Sequence, residues 1–157
     1  PSWAKDKKIK SINARSETVH EKSSFKNSLR NKRCLIPADG FIEWQGTEKQ
    51  PCYIYLKDQA LFGFAGLWST WNSLEGVSLN TYSILTTAAN EKLNPIHVRM
   101  PIILSSEQYE TWLAPDSGLD VLQALLTAYP SEEFDFHLVS KEINSPKNNL
   151  PEVLQSL

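Results

Sequence analysis

The sequence predicts an α+β protein, and three observations carry that expectation. Short apolar runs separated by turn residues fill the first and middle parts of the chain, as strands do. Amphipathic stretches with helical spacing are concentrated in the last third. Strand-like and helix-like segments are largely segregated, which argues against a doubly wound parallel sheet.

In chain order, residues 1–10 read as an exposed basic loop and 11–17 (SINARSE) as a weakly alternating strand. Thr18-Val19-His20-Glu21 has the Thr-x-x-Glu form of a capping box, so a short helix is expected to follow, with Phe25 and Leu29 four apart on its buried face. Strands are expected at 33–37 (RCLIP), 41–45 (FIEWQ) and 52–57 (CYIYLK), with 45–51 as a hairpin loop. Two more are expected at 62–71 (FGFAGLWSTW) and 81–89 (TYSILTTAA), with Gly63 and Gly66 marking a bulge or a close approach. Ser105-Ser106-Glu107-Gln108 opens a helix carrying Tyr109, Trp112 and Leu113. Ser117 is expected to cap another, with Val121, Leu122, Leu125 and Leu126 as its apolar stripe. A last strand is expected at 134–139 (FDFHLV), then turn chemistry at 144–149 and a tail, 150–157, that packs back.

The 157 residues suffice for one domain with one sizeable core, and 41% hydrophobic content with a net charge of -2 argues against disorder. The apolar runs are too short for a membrane span. The chain opens without a basic-then-apolar leader, so no secretory signal is expected, and two cysteines, Cys34 and Cys52, make no disulfide framework. A reducing, cytoplasmic setting fits. Residues 1–33 hold ten of the sixteen basic residues and three of the eighteen acidic ones, a balance of +7 that leaves -9 for the remainder. A basic end of this kind can hold a polyanion, or be a solvated charged face. His20, His97, His137 and the two cysteines lack metal-ligand spacing, so neither a metal nor a cofactor is expected.

Several residues could carry chemistry. Glu43 shares a strand face with Phe41 while Trp44 points the other way. A carboxylate among apolar side chains has its pKa raised, which suits general acid–base work near neutral pH, although an edge-strand glutamate in water would look the same in sequence. His97 and Arg99 fall on one face of 94–101 if that proline-bounded segment is extended, with Ile96, Val98 and Met100 on the other. Such a pair suits proton transfer beside an anion; a histidine bonded to backbone is the alternative. Asn13 and Arg15 also share a face, one able to orient an amine or carbonyl, the other to clamp phosphate. Arg33 could pair with an acid. Cys34 and Cys52 read as core. Of five tryptophans most are core candidates, but Trp3 in the basic loop, and Trp44 beside Glu43, could stack on a base.

Taken in order, PSW (1–3), INARSET (12–18), Arg33-Cys34, ADGFIEW (38–44), FAGLW (64–68), ILTTAAN (84–90), IHVRMP (96–101) and INSPKNN (143–149) closely resemble the SRAP family, the SOS-response-associated peptidases, in its bacterial or phage form. The resemblance spans the chain as one SRAP-type domain, 1–157. It implies a barrel-like mixed or antiparallel β-sheet core with peripheral helices. It also implies recognition of abasic sites in single-stranded DNA by a cytoplasmic, nucleoid-associated monomer, and a covalent thiazolidine link made by an N-terminal cysteine. That cysteine is not in this sequence, so the chain is expected to be truncated at its N-terminus and inactive alone. Carried over, Asn13 would orient the cysteine amine, Glu43 would be the acid–base group, and His97 would assist proton transfer. Arg15 and Arg99 would hold phosphates, and Trp3 and Trp44 would contact DNA. Val98 stands where the family has an acid. A thiol-dependent peptidase using Cys34, and a non-catalytic single-strand DNA binder using the basic end, are the competing expectations.

Overall fold

The computed structural model describes residues 11–58, 60–73 and 75–157. Trp3 and the rest of the basic loop expected at 1–10 fall outside the described residues. The elements are β1 (Asn13–Arg15), α1 (Lys26–Asn31), β2 (Arg33–Ala38), β3 (Phe41–Gln45), β4 (Gln50–Leu56), β5 (Phe62–Asn72), β6 (Ser78–Ala88), β7 (Arg99–Pro101), β8 (Ile103–Leu104), α2 (Ser106–Leu113), α3 (Leu119–Ala124) and β9 (Phe134–Leu138). The fold is α+β, as expected, with mixed and antiparallel strand pairing. The chain divides into two compact units: one from its described residues up to 37 with 62–87 and 101–128, the other from 38–61, 88–100 and 129–157.

The first unit is built on a sheet in which β1, β6, β5 and β2 lie in that order and β8 pairs with β5. β1 runs parallel to β6, and β5 antiparallel to it. Strand alternation sorts the side chains: Ala14, Leu67 and Leu85 enter a core with Val19, Leu29, Leu104, Trp112 and Leu122. Asn13 and Arg15 therefore occupy the sheet's other face and are exposed. Gly66 is required there, because a Cβ would meet Ile36 Cδ1 at 2.1 Å and Cys34 Sγ at 2.9 Å.

Trp112 is fully buried and its indole N–H donates to the Cys34 carbonyl at 3.0 Å. Among the described residues Arg33 forms no ion pair with an acid. Its guanidinium donates to the carbonyls of Trp112 (2.6 Å), Leu29 (2.8 Å), Arg30 (2.5 Å) and Ala114, at the C-terminal ends of α1 and α2. Helix ends leave carbonyls without intrahelical donors, and one fork of N–H groups satisfies both ends at once.

Three local expectations give way. Thr18-x-x-Glu21 forms no cap: Ser16–Thr18 is a 3-10 turn, the Thr18 carbonyl accepts from Glu21 and Lys22, and the bend sinks Val19 into the core. The helix starts at Lys26 instead, with Leu29 buried and Phe25 partly so. Ser117 does not cap α3, because its hydroxyl donates to the Thr111 carbonyl at 2.6 Å; Gly118 holds that position. Leu122 and Leu126 bury the α3 stripe, whereas Val121 is exposed. The helix α2 opens at Ser105–Gln108 as expected, and Ser105 and Gln108 form a capping box there.

The second unit carries the sheet β3-β4-β9, antiparallel throughout. Tyr53 lies flat against Gly40, where a Cβ would meet its ring at 2.4 Å, which accounts for glycine just before β3. Cys52 and Ile54 are buried from β4 and Phe134 from β9. The tail attaches through backbone rather than by burying leucines: Leu157 N–H donates to the Leu138 carbonyl at 3.0 Å, and the His137 ring bonds the Leu154 carbonyl at 2.8 Å, while Leu150 and Leu157 stay exposed.

Replacing Arg33 tests the helix-end network. Arg33→Met should lower unfolding free energy by about 2–4 kcal/mol in chemical denaturation, since several half-buried carbonyls lose their donor, and Arg33→Lys should recover only part.

Candidate active site

The second unit gathers Glu43, Trp44, Lys49, His97 and Asn144 around a cleft of about 460 Å³. The β3–β4 register explains the placement of Glu43. Phe41 pairs with Ile54 and Glu43 with Cys52, so Glu43 projects from the face on which those two β4 residues are buried. Its side chain keeps 24% of its exposure. Burial pushes the Glu43 carboxyl above the ordinary carboxylate range; His97 and the Trp44 backbone N–H pull it partly back.

His97 Nδ1 stands 3.7 Å from Glu43 Oε2. The segment before it is not extended. Asn94 N–H donates to the Asn90 carbonyl, and Ile96 and His97 N–H both donate to the Leu93 carbonyl, so residues 91–96 form turns that bury Leu93 and Ile96. Asn90 fixes these turns at their start, its side chain accepting from Leu93 N–H and donating to the Tyr129 carbonyl. The His97 ring then folds onto the backbone of Arg99, with Nδ1 3.2 Å from its N–H and 3.0 Å from its carbonyl. His97 and Arg99 are thus joined by a local turn, not by sharing a strand face. Val98 is 66% exposed, so it is no part of an apolar face.

Two further residues complete the cleft. Asn144, in the 3-10 turn Lys141–Asn144, accepts from the Trp44 indole N–H at 2.8 Å. Asn148 braces the same turn by donating to the Glu142 carbonyl at 2.9 Å. Lys49, at the end of the β3–β4 loop, has φ of 53°, a conformation strained for a lysine. Sequence reasoning passed over both. Asn144 lies inside INSPKNN, a segment legible as turn chemistry and as part of the family resemblance but not as a site, and no local signal marks Lys49.

Among the expected site residues, Glu43, Trp44 and His97 converge on this cleft, with Arg99 touching His97 through its backbone. Asn13 and Arg15 lie side by side on β1 in the first unit. Trp3 is outside the described residues. Trp71 and Trp112 are core, whereas Trp44 and Trp68 are 37% and 38% exposed. Cys52 is fully buried and Cys34 partly so, and burial raises both thiols above their ordinary range. Among the described residues no group of three or more His, Cys, Asp or Glu could hold a metal, and no helix is long and apolar enough to cross a membrane.

A carboxyl raised by burial beside an imidazole, in an open cleft of an α+β fold, is an arrangement suited to proton transfer. The model of the family "SOS response associated peptidase (SRAP)" matches residues 1–146, and the chain belongs to that family. It is 49% identical over 162 residues to the abasic site processing protein YoqW of Bacillus subtilis, covering 99% of this chain and 72% of that one. With the abasic site processing protein YoaM of Bacillus subtilis it shares 46% identity over 162 residues, covering 99% of this chain and 71% of the relative. A crystal structure of a Bacteroides thetaiotaomicron protein superposes with a TM-score of 0.93 at 32% identity, covering 100% of this chain and 73% of that one.

The raised Glu43 carboxyl has a consequence for stability. Its folded form binds a proton more readily than the unfolded chain, so stability falls as pH rises above the ordinary value of 4.5 and stays lowered beyond the folded value. Glu43→Gln should therefore stabilise the protein at pH 7, by roughly 0.5–2 kcal/mol, with the gain vanishing below the ordinary carboxylate value. Thermal melts of both proteins across pH check this; a variant less stable at pH 7 would sink it.

Proposed function

We propose that this protein recognises abasic sites in single-stranded DNA and that Glu43 and His97 serve the proton transfers of a covalent DNA–protein link. The carrying observation is the pairing of the desolvated Glu43 carboxyl with His97, 3.7 Å apart in one cleft. The names of YoqW and YoaM, both abasic site processing proteins, point to the same substrate.

The ring-opened abasic sugar offers an aldehyde. In the proposed sequence, an N-terminal cysteine outside these 157 residues supplies the nucleophile. Its amine adds to the aldehyde carbon, water leaves, and an imine forms. The thiol sulfur then adds to the imine carbon while nitrogen takes the proton, closing a thiazolidine. Glu43, its carboxyl raised by burial, gives a proton to the ring oxygen as the sugar opens and to the departing water. His97 takes up and returns protons on the same path. Asn13 orients the amine, Arg15 and Arg99 hold phosphates, and Trp3 and Trp44 flank the lesion, with Asn144 fixing the Trp44 indole.

Peptidase chemistry would need an activated thiolate. Cys52 is fully buried and burial holds Cys34 in its thiol form, so neither favours it.

The test uses the whole gene product and single-stranded DNA carrying one abasic site, followed on denaturing gels. Glu43→Gln should slow appearance of the linked band by about 10²-fold or more. Cys34→Ser should link at the rate of the unmodified protein. A link that forms at full rate in Glu43→Gln would remove Glu43 from this role, and a link lost in Cys34→Ser would move the nucleophile to Cys34.

A further inference from the structure

The sheet face of the first unit that bears Asn13 and Arg15 carries a second feature. In the β5–β6 register Trp68 stands directly opposite Tyr82, and Tyr82 lies one step along the same face from Ile84, the partner of Asn13. Trp68 and Tyr82 are 38% and 59% exposed. Next across the sheet, the Lys32 carbonyl accepts from Trp68 N–H at 2.8 Å, and the Lys32 ammonium sits 4.9 Å from the Trp68 ring centroid. A cation and two open rings thus form one row across three chain segments, on the face that also carries Asn13 and Arg15.

We propose that this row is a stacking platform for single-stranded DNA on one side of the lesion. Bases would lie on Tyr82 and Trp68, and Lys32 and Arg15 would neutralise phosphates. The choice of occupant rests on the function proposed above. Charge complementarity supports it: β5 and β6 contain no carboxylate, and ten of the sixteen basic residues fall within 1–33, the segment that supplies Lys32 and Arg15. Toward the β5–β6 hairpin this face is uncharged and polar, with Thr70 donating to Asn80 (2.7 Å) and Ser78 to Asn72 (2.8 Å). An aromatic surface with a cation and a polar rim tolerates any base sequence, as a lesion-directed protein requires.

The experiment measures binding of the whole gene product to single-stranded oligonucleotides by fluorescence anisotropy, beside the linking assay at an abasic site. Tyr82→Ala should weaken affinity five-fold or more, and Tyr82→Phe should restore it, because the ring does the binding. Lys32→Ala should reduce the salt dependence of log K by about 0.7. Trimming the DNA on one side of the lesion should abolish the difference between Tyr82→Ala and the unmodified protein; trimming the other side should not. Unchanged affinity in Tyr82→Ala, with its melting temperature intact, overturns the platform. So does a change from dimer to monomer in Tyr82→Ala by light scattering, which would make this face a self-association surface. In either case linking by the unmodified protein leaves the proposed function standing; absence of linking by the unmodified protein overturns that function instead.

Discussion

The chemistry of the second unit depends on where strand alternation puts one carboxylate. Because β3 pairs with β4 so that Glu43 faces Cys52 and Phe41 faces Ile54, the acid leaves the sheet on the side where apolar residues are buried. A shift of one residue would send it to the opposite face, beside Tyr53 and His137, and change its solvation. Gly40 protects that register at the start of β3, since only glycine lets Tyr53 lie against the backbone there. The raised carboxyl is therefore a property of the pairing, not of the residues beside Glu43 in sequence.

His97 reaches the same cleft by a different device. Its ring is not set by strand periodicity but by a string of turns from Asn90 to Ile96, closed by hydrogen bonds to the Asn90 and Leu93 carbonyls. The imidazole then rests on the Arg99 backbone, which limits its rotation and leaves it facing Glu43. Trp44 is held likewise by a partner distant in sequence, Asn144. Acid, imidazole and indole are each restrained by groups outside their own element, which is what positions a site before a ligand arrives.

What was legible in the sequence follows from the range of the forces involved. Strands β3, β4, β5 and β9, and the start of α2, rest on alternation and neighbours two to four residues apart, and those patterns appear directly in the letters. Glu43, Asn13 and His97 could be singled out by residue type, but individually each had an ordinary alternative; their order along the chain, matching a family, made them a set. Thr18 and Ser117 misled because a hydroxyl in capping position competes with other acceptors: burial of Val19 decided the first and the Thr111 carbonyl the second. Of the extended form expected for 94–101 only β7, Arg99–Pro101, is realised, because Asn90 anchors a turn that the prolines tolerate. Arg33 bridging two helix ends, Asn144 on Trp44, and the Lys32–Trp68–Tyr82 row depend on contacts distant in sequence, or on strand register, and have no local signature.

Two departures from local stability fall in the same place. Glu43 loses hydration that the unfolded chain would give it, and Lys49 holds a left-handed backbone that glycine or asparagine would adopt at less cost. Both residues line the same cleft, six residues apart on either side of a loop in which Gly46 already supplies a permissive turn position. In the first unit the core is apolar, and the half-buried helix-end carbonyls near Arg33 are matched by donors. Local rules broken together around one cleft, in a fold otherwise consistent across its levels, are what a selected site looks like in energetic terms. Burial of the Glu43 carboxyl and the left-handed Lys49 backbone single out the cleft at the end of β3 on physical grounds, independently of the family that the sequence order identifies.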